Sequence, residues 1–172
     1  MVKNPSSVKT KTNRCEIMAN LIGENLIDFE LSYIDTNNKL AKVKLSEEAK
    51  NKTILLLFFP AAWTSVCTAE LTWVRDSIAD FDAVNTRVFG ISVDLPWALN
   101  MYKKDQNLNI TLLSDFNRTT IKEYGVVWPD LAGFKDVALR SAFIIKNGKI
   151  TYQWVGENQG QMPPFDEIKN NL

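Results

Sequence analysis

Histidine is absent from all 172 residues of this chain, and that removes whole classes of chemistry. Ser-His and Cys-His hydrolases need an imidazole as base. Cysteine is scarce as well, with only Cys15 and Cys67. Two thiolates without an imidazole cannot complete a zinc site of the His/Cys kind. The two are not in a C-x-x-C spacing, so dithiol chemistry lacks its motif. No charge of one sign is in excess, because 20 Lys and Arg balance 20 Asp and Glu. Nucleic acid is therefore not expected as the main partner, since it requires a basic face. Long apolar runs are also missing. The longest, Ile54 to Phe59, has the length of a buried strand and falls far short of the roughly 20 residues that span a bilayer. The first residues lack the apolar core of a secretory signal. A soluble, cytoplasmic protein is expected, and in a reducing compartment a static Cys15–Cys67 bridge is disfavoured. Any chemistry must rest on Cys, Asp, Glu, Lys, Arg, Tyr or a hydroxyl.

What is present reads as one globular domain with a short basic arm. Lys3, Lys9, Lys11 and Arg14 all precede the first acid, Glu16. Residues 1–18 are read as a flexible, solvated arm and residues 19–172 as a single domain. Phe29, Leu31 and Tyr33 alternate with polar residues as a half-buried strand does. The turn Thr36-Asn37-Asn38 and the run Leu40, Val43, Leu45 complete a hairpin. Thr53 to Phe59 is apolar on both faces, the pattern of a central strand, and Pro60 ends it. Cys67, Leu71, Val74, Ile78 and Phe81 recur at helical spacing and predict one amphipathic helix, with Thr64 or Ser65 as its N-cap.

Arg87 to Val93 is the next strand. Asp94 is expected to cap a helix that has Pro96 near its start. Leu112-Leu113 marks a short strand, and Asn117 to Tyr124 a short helix stopped by Gly125. Trp128 to Val137 reads as a loop. Two strands, Leu139 to Ile145 and Lys149 to Val155, flank the hairpin turn Asn147-Gly148, and Phe165 to Leu172 closes the chain as a helix. This is an α/β order. It resembles the thioredoxin-like plan, a central mixed sheet flanked by helices, here with an added N-terminal β-hairpin.

The chemistry points to Cys67. Its position in the first turn of a helix that follows a buried strand sets a thiol against the positive end of the helix dipole and unpaired backbone N–H groups. That favours the thiolate, the reactive form. Position alone leaves the alternative open that Cys67 is a small buried hydrophobe, which free cysteines usually are.

Pro60, Thr64 and Cys67 form P-x-x-x-T-x-x-C inside FFPAAWTSVCTAEL, and this resembles the active-site segment of the peroxiredoxins. Asp28-Phe29-Glu30-Leu31, with Ile27 where that family usually has proline, resembles its first strand. Asp94 to Leu99 and Leu139 to Ile145 resemble two further family segments. The likeness covers about residues 23 to 172 and is nearest to one-cysteine-like members, those similar to alkyl hydroperoxide reductase E and bacterioferritin comigratory protein.

The resemblance implies a thiol peroxidase that uses no cofactor and no metal. It implies Cys67 as the peroxidatic nucleophile that becomes a sulfenic acid. Arg140 supports the thiolate and binds the peroxide, Thr64 hydrogen-bonds sulfur and peroxide, and Pro60 shields the sulfur. The N–H groups of Val66 and Cys67 hold the oxygens, and Glu70 orients the arginine. Cys15 is a possible resolving thiol. An external thiol or a thioredoxin- or glutaredoxin-like protein is the favoured reductant. A homodimer is implied too, with Trp63, Trp97 and Trp128 as aromatic anchors or, equally, as core. A glutathione peroxidase-like enzyme and a non-enzymatic redox sensor are the rival readings.

Overall fold

The computed structural model describes residues 19–172. The basic arm and Cys15 lie outside these residues.

A hairpin opens the domain, with β1 (Glu30–Ile34) antiparallel to β2 (Leu40–Lys44). Leu45, expected on the returning strand, instead starts the one-turn helix α1 (Leu45–Glu48). β3 (Thr53–Phe58) follows, then α2 (Ser65–Asp76), α3 (Ile78–Ala83) and β4 (Thr86–Ser92). α4 (Pro96–Asp105), β5 (Thr111–Ser114) and α5 (Thr119–Glu123) come next. The chain then forms β6 (Val127–Leu131), β7 (Phe134–Ala138), β8 (Ser141–Lys146), β9 (Lys149–Val155) and α6 (Phe165–Asn170).

Seven strands make the main sheet in the order β2-β1-β5-β4-β3-β8-β9. β3, β4 and β5 are parallel, and the outer strands join them antiparallel. Alternation along a strand sends successive side chains to opposite faces, and β3 uses both. Ile54, Leu56 and Phe58 enter one buried cluster with Phe89, Ile91, Ile121, Tyr124 and Phe143. Leu55 and Leu57 enter the other with Phe59, Cys67, Leu71, Val74, Phe81, Leu99, Tyr102 and Ile168. Layers on both faces are the reason β3 reads as an unbroken apolar run. α6 docks against α2 through Trp73 and Phe165, stacked with ring centres 3.8 Å apart. No helix among the described residues is long and apolar enough to cross a membrane.

Three further local expectations are corrected. The predicted single helix breaks at Ser77, whose N–H is shared between the carbonyls of Trp73 and Val74, each at 3.1 Å. That tight turn ends α2, and Phe81 on α3 still reaches the same core. The expected loop 128–137 is a separate two-stranded sheet, β6 with β7. Ala132 (φ 52°) and Gly133 (φ 94°) both take the left-handed conformation that a two-residue hairpin turn requires. Asp94 does not cap α4. Leu95 occupies the N-cap position, with Pro96 directly behind it, and the Asp94 carboxylate serves the neighbouring turn instead.

Candidate active site

The site begins where β3 runs out. Phe59 makes a last backbone bond to Ile91 O at 2.9 Å, and Pro60, which has no N–H, releases the chain from the sheet. The turn that follows is strutted from β4. Ala62 N–H donates to Asp94 Oδ2 at 2.9 Å, and Ser92 Oγ donates to the same oxygen at 2.8 Å. Trp63 sits at φ 58°, a left-handed backbone that costs a bulky residue on the order of 1–3 kcal/mol. Its ring packs on buried Tyr102 with centres 5.2 Å apart. Tyr102 Oη in turn shares a 2.9 Å hydrogen bond with Thr68 Oγ1. Strut and ring contact together hold the geometry in which α2 starts.

Thr64 is the N-cap by backbone geometry (φ −81°, ψ 148°) but makes no side-chain cap. Its hydroxyl gives its single hydrogen to Ala61 O at 3.0 Å, and not to the sulfur. The first helical bond runs from Thr68 N–H to Thr64 O at 2.9 Å. The N–H groups of Ser65, Val66 and Cys67 therefore precede the hydrogen-bonded ladder and point out of the helix start. Cys67 is the third residue of α2 and only 1% exposed.

Arg140 arrives from the other end of the chain. β8 pairs antiparallel with β3, and Ser141 stands opposite Phe58. Arg140, one residue before β8, is thereby set beside the turn that carries Cys67. Its Nη2 lies 3.2 Å from Cys67 Sγ, and its Nη1 is paired with Glu70 Oε2, one helical turn beyond the cysteine. Arg140 and Glu70 are both buried. Burial, partly offset by the guanidinium, pushes the Glu70 carboxyl up to about 7. Burial works against the charge on Arg140, but Glu70 and Cys67 outweigh it and hold the guanidinium above its ordinary value. Among the described residues no cluster of three or more His, Cys, Asp or Glu is placed to hold a metal.

The fold thus brings Cys67, Arg140 and Glu70 into direct contact, with Pro60 buried and Thr64 half-buried on the same turn. Trp63 and Trp97 are more than half exposed, and Trp128 is partly buried, with its indole N–H on Asp130 O at 2.7 Å. An apolar cavity of about 500 Å³ adjoins the turn, lined by Pro60, Ala61, Leu95, Phe116 and Phe134. Sequence reasoning missed Ser92, Thr68 and Tyr102, and gave Asp94 another task. Thr68 and Asp94 lie inside family-like segments, Ser92 and Tyr102 outside them, and each acts across the sheet or between helices.

A family model described as the AhpC/TSA family matches residues 22–153. The chain is 34% identical over 160 residues to the chloroplastic 2-Cys peroxiredoxin BAS1 of Spinacia oleracea. That match covers 88% of this chain and 58% of the spinach sequence. It is 32% identical over 148 residues to the putative peroxiredoxin YkuU of Bacillus subtilis, covering 80% of this chain and 79% of that one. Among solved structures, the reduced 2-Cys peroxiredoxin of Plasmodium vivax superposes with a TM-score of 0.78 at 27% identity. It covers 88% of this chain and 79% of the other.

Proposed function

Since this chain belongs to the AhpC/TSA family, the peroxiredoxins, we propose that it is a thiol-dependent peroxidase with Cys67 as its nucleophile. The single observation that carries this reading is the Arg140 guanidinium 3.2 Å from a sulfur at the opening of a helix. The Cys67 thiolate attacks one oxygen of the hydroperoxide ROOH. A sulfur–oxygen bond forms and the O–O bond breaks. Sulfur is oxidised by two electrons to the sulfenic acid, and the peroxide is reduced to the alkoxide, which leaves as ROH after taking a proton. Charge moves from sulfur to the leaving oxygen during this step. A guanidinium and the N–H groups of Val66 and Cys67, already oriented, stabilise that charge without reorganising. Pro60 walls the sulfur off from water. The Thr64 hydroxyl, once released from Ala61 O, is the group within the turn that can turn toward substrate. Glu70 orients Arg140.

Two thiols then return the sulfenic acid to thiol, releasing water and a disulfide. The reductant we favour is external, a small thiol or a thioredoxin- or glutaredoxin-like protein, because Cys15 is the only other cysteine in this sequence. Its replacement by serine tests this. Turnover with every reductant should persist, and loss with thioredoxin alone would instead assign Cys15 as the resolving thiol. A homodimer is the favoured assembly. The exposed Leu95, Phe116 and Phe134 around the apolar cavity suit a second copy of the chain, and Phe134→Glu should then sediment as a monomer.

The deciding experiment is intact mass after substoichiometric peroxide, with peroxide consumption followed in parallel. Wild-type protein should gain one oxygen on Cys67 and consume peroxide. A Cys67→Ser variant that consumes peroxide as fast as wild type removes the proposal. An oxidised Cys67 that never turns over leaves the sensor reading instead.

A further inference from the structure

Strand register carries the Cα of Arg140 to the site, but the guanidinium hangs on a long flexible stem, so its partners decide where it points. Nη1 is held by Glu70. One contact at one edge of the planar group still permits rotation about that contact. Nη2 carries two hydrogens. One faces Cys67 Sγ at 3.2 Å, and the other is given to the main-chain carbonyl of Gln159, also at 3.2 Å. In a rigid fork, fixing one N–H on a carbonyl fixes the direction of its neighbour. The Gln159 carbonyl therefore aims the remaining Nη2 hydrogen at the sulfur.

Gln159 lies in the irregular segment between β9 and α6, whose neighbours Glu157, Asn158 and Gly160 are exposed. Gln159 alone among these four turns inward. Its side-chain Nε2 donates to Ala138 O at 3.2 Å, two residues before Arg140. Gly156 N–H, at the base of the same segment, donates to Arg140 O at 2.9 Å. A Cβ at Gly156 would stand 3.3 Å from that carbonyl and 3.2 Å from Asn158 O, so the approach is tight. The segment is latched to Ala138 and to Arg140 itself, and the side-chain amide of Gln159 is one of the two latches.

We propose that Gln159 is a positioning residue for the peroxidatic site: its side-chain amide anchors the 156–160 segment so that its carbonyl holds the Arg140 guanidinium against Cys67. This rests on the peroxidase reading, and the test separates the two. Gln159→Met keeps the volume and the main-chain carbonyl but removes the donor to Ala138 O. Gln159→Glu keeps the shape and replaces the donor with an acceptor. Two rates are measured for each, oxidation of Cys67 by hydrogen peroxide and alkylation of Cys67 by iodoacetamide. Peroxide needs the aimed guanidinium for its leaving oxygen, and iodoacetamide does not.

Both variants should lose about tenfold in the peroxide rate, a fraction of the 10²–10³ seen when a fixed donor is removed outright, and less than threefold in alkylation. Glu157→Gln, at an exposed position of the same segment, should leave both rates within twofold of wild type. A Gln159→Met or Gln159→Glu protein with an unchanged ratio of the two rates overturns the proposal, even where its melting temperature falls. If Cys67→Ser consumes peroxide like wild type, the peroxidase reading itself has failed. If Cys67→Ser and Arg140→Lys are impaired and both Gln159 variants are not, only this inference has.

Discussion

Removing the guanidinium should separate what Arg140 does for folding from what it does for chemistry. Arg140→Met deletes the cation at 3.2 Å from the sulfur and strands Glu70 in the interior without its partner. Breaking a buried ion pair from one side costs about 3–5 kcal/mol. The carboxyl can escape part of this by taking up a proton, since burial already raises it to about 7. Near neutral pH the low end, about 3 kcal/mol, is expected, which for a domain of this size lowers Tm by about 10 °C. Glu70→Gln in the Arg140→Met background removes the stranded charge and should recover most of that loss. Activity should behave otherwise. Loss of one preorganised donor costs about 10²–10³ in rate, and the second substitution restores none of it. Thermal melts and stopped-flow peroxide reduction on the four proteins of the cycle give both numbers. The reasoning fails if Arg140→Met reduces peroxide within threefold of wild type, or if the double variant melts no higher than Arg140→Met.

Three other outcomes follow from the same contacts. Glu70 binds its proton more tightly in the folded chain (about 7) than an ordinary glutamate does (4.5). Its favourable contribution is therefore complete below pH 4.5 and is lost as pH rises through 7. The stability difference between wild type and Glu70→Gln should shift against wild type over that interval, with a slope of at most about 1.4 kcal/mol per pH unit, and a flat difference in denaturant titrations at several pH values argues against it. Gly90→Ala would place a Cβ 2.7 Å from Leu112 Cδ2 and 3.3 Å from Phe59, an overpacking expected to cost about 1–3 kcal/mol, and an unaltered urea midpoint would contradict that crowding. Asp94→Ala leaves the N–H of buried Ala62 without its acceptor, at about 1–3 kcal/mol, and should slow peroxide reduction because the turn leading to Cys67 loses its strut; stopped-flow traces matching wild type would show that the turn holds itself.

The parts of the site that could be read from sequence and those that could not differ in how far along the chain their cause lies. Pro60, Thr64 and Cys67 sit within one turn, between a strand that must be apolar on both faces and a helix whose stripe starts at the cysteine. Local periodicity is enough to place them. Arg140 is 73 positions from Cys67 and meets it only because β8 runs antiparallel to β3 with Ser141 against Phe58. No local pattern encodes that register, so a family likeness had to supply the residue.

Asp94 shows the limit in the other direction. A carboxylate just before a helix looks like a cap, but it takes whichever donors lie nearest in space, and here those belong to Ala62 and Ser92. The hairpin of β6 and β7 was hidden because its turn is Ala132-Gly133 where Asn or Asp would have signalled it, and because Pro129 interrupts a strand that joins no larger sheet. Gln159 had no signal at all. A glutamine in a polar loop looks like solvated surface, yet the fold sets its carbonyl on the guanidinium and its amide on Ala138. In this fold the turn that carries Cys67 is braced by Asp94 and Tyr102, and Arg140 is set by the register with β3, by Glu70 and by the Gln159 carbonyl. Substitutions that silence chemistry without unfolding the chain should therefore concentrate outside the motif.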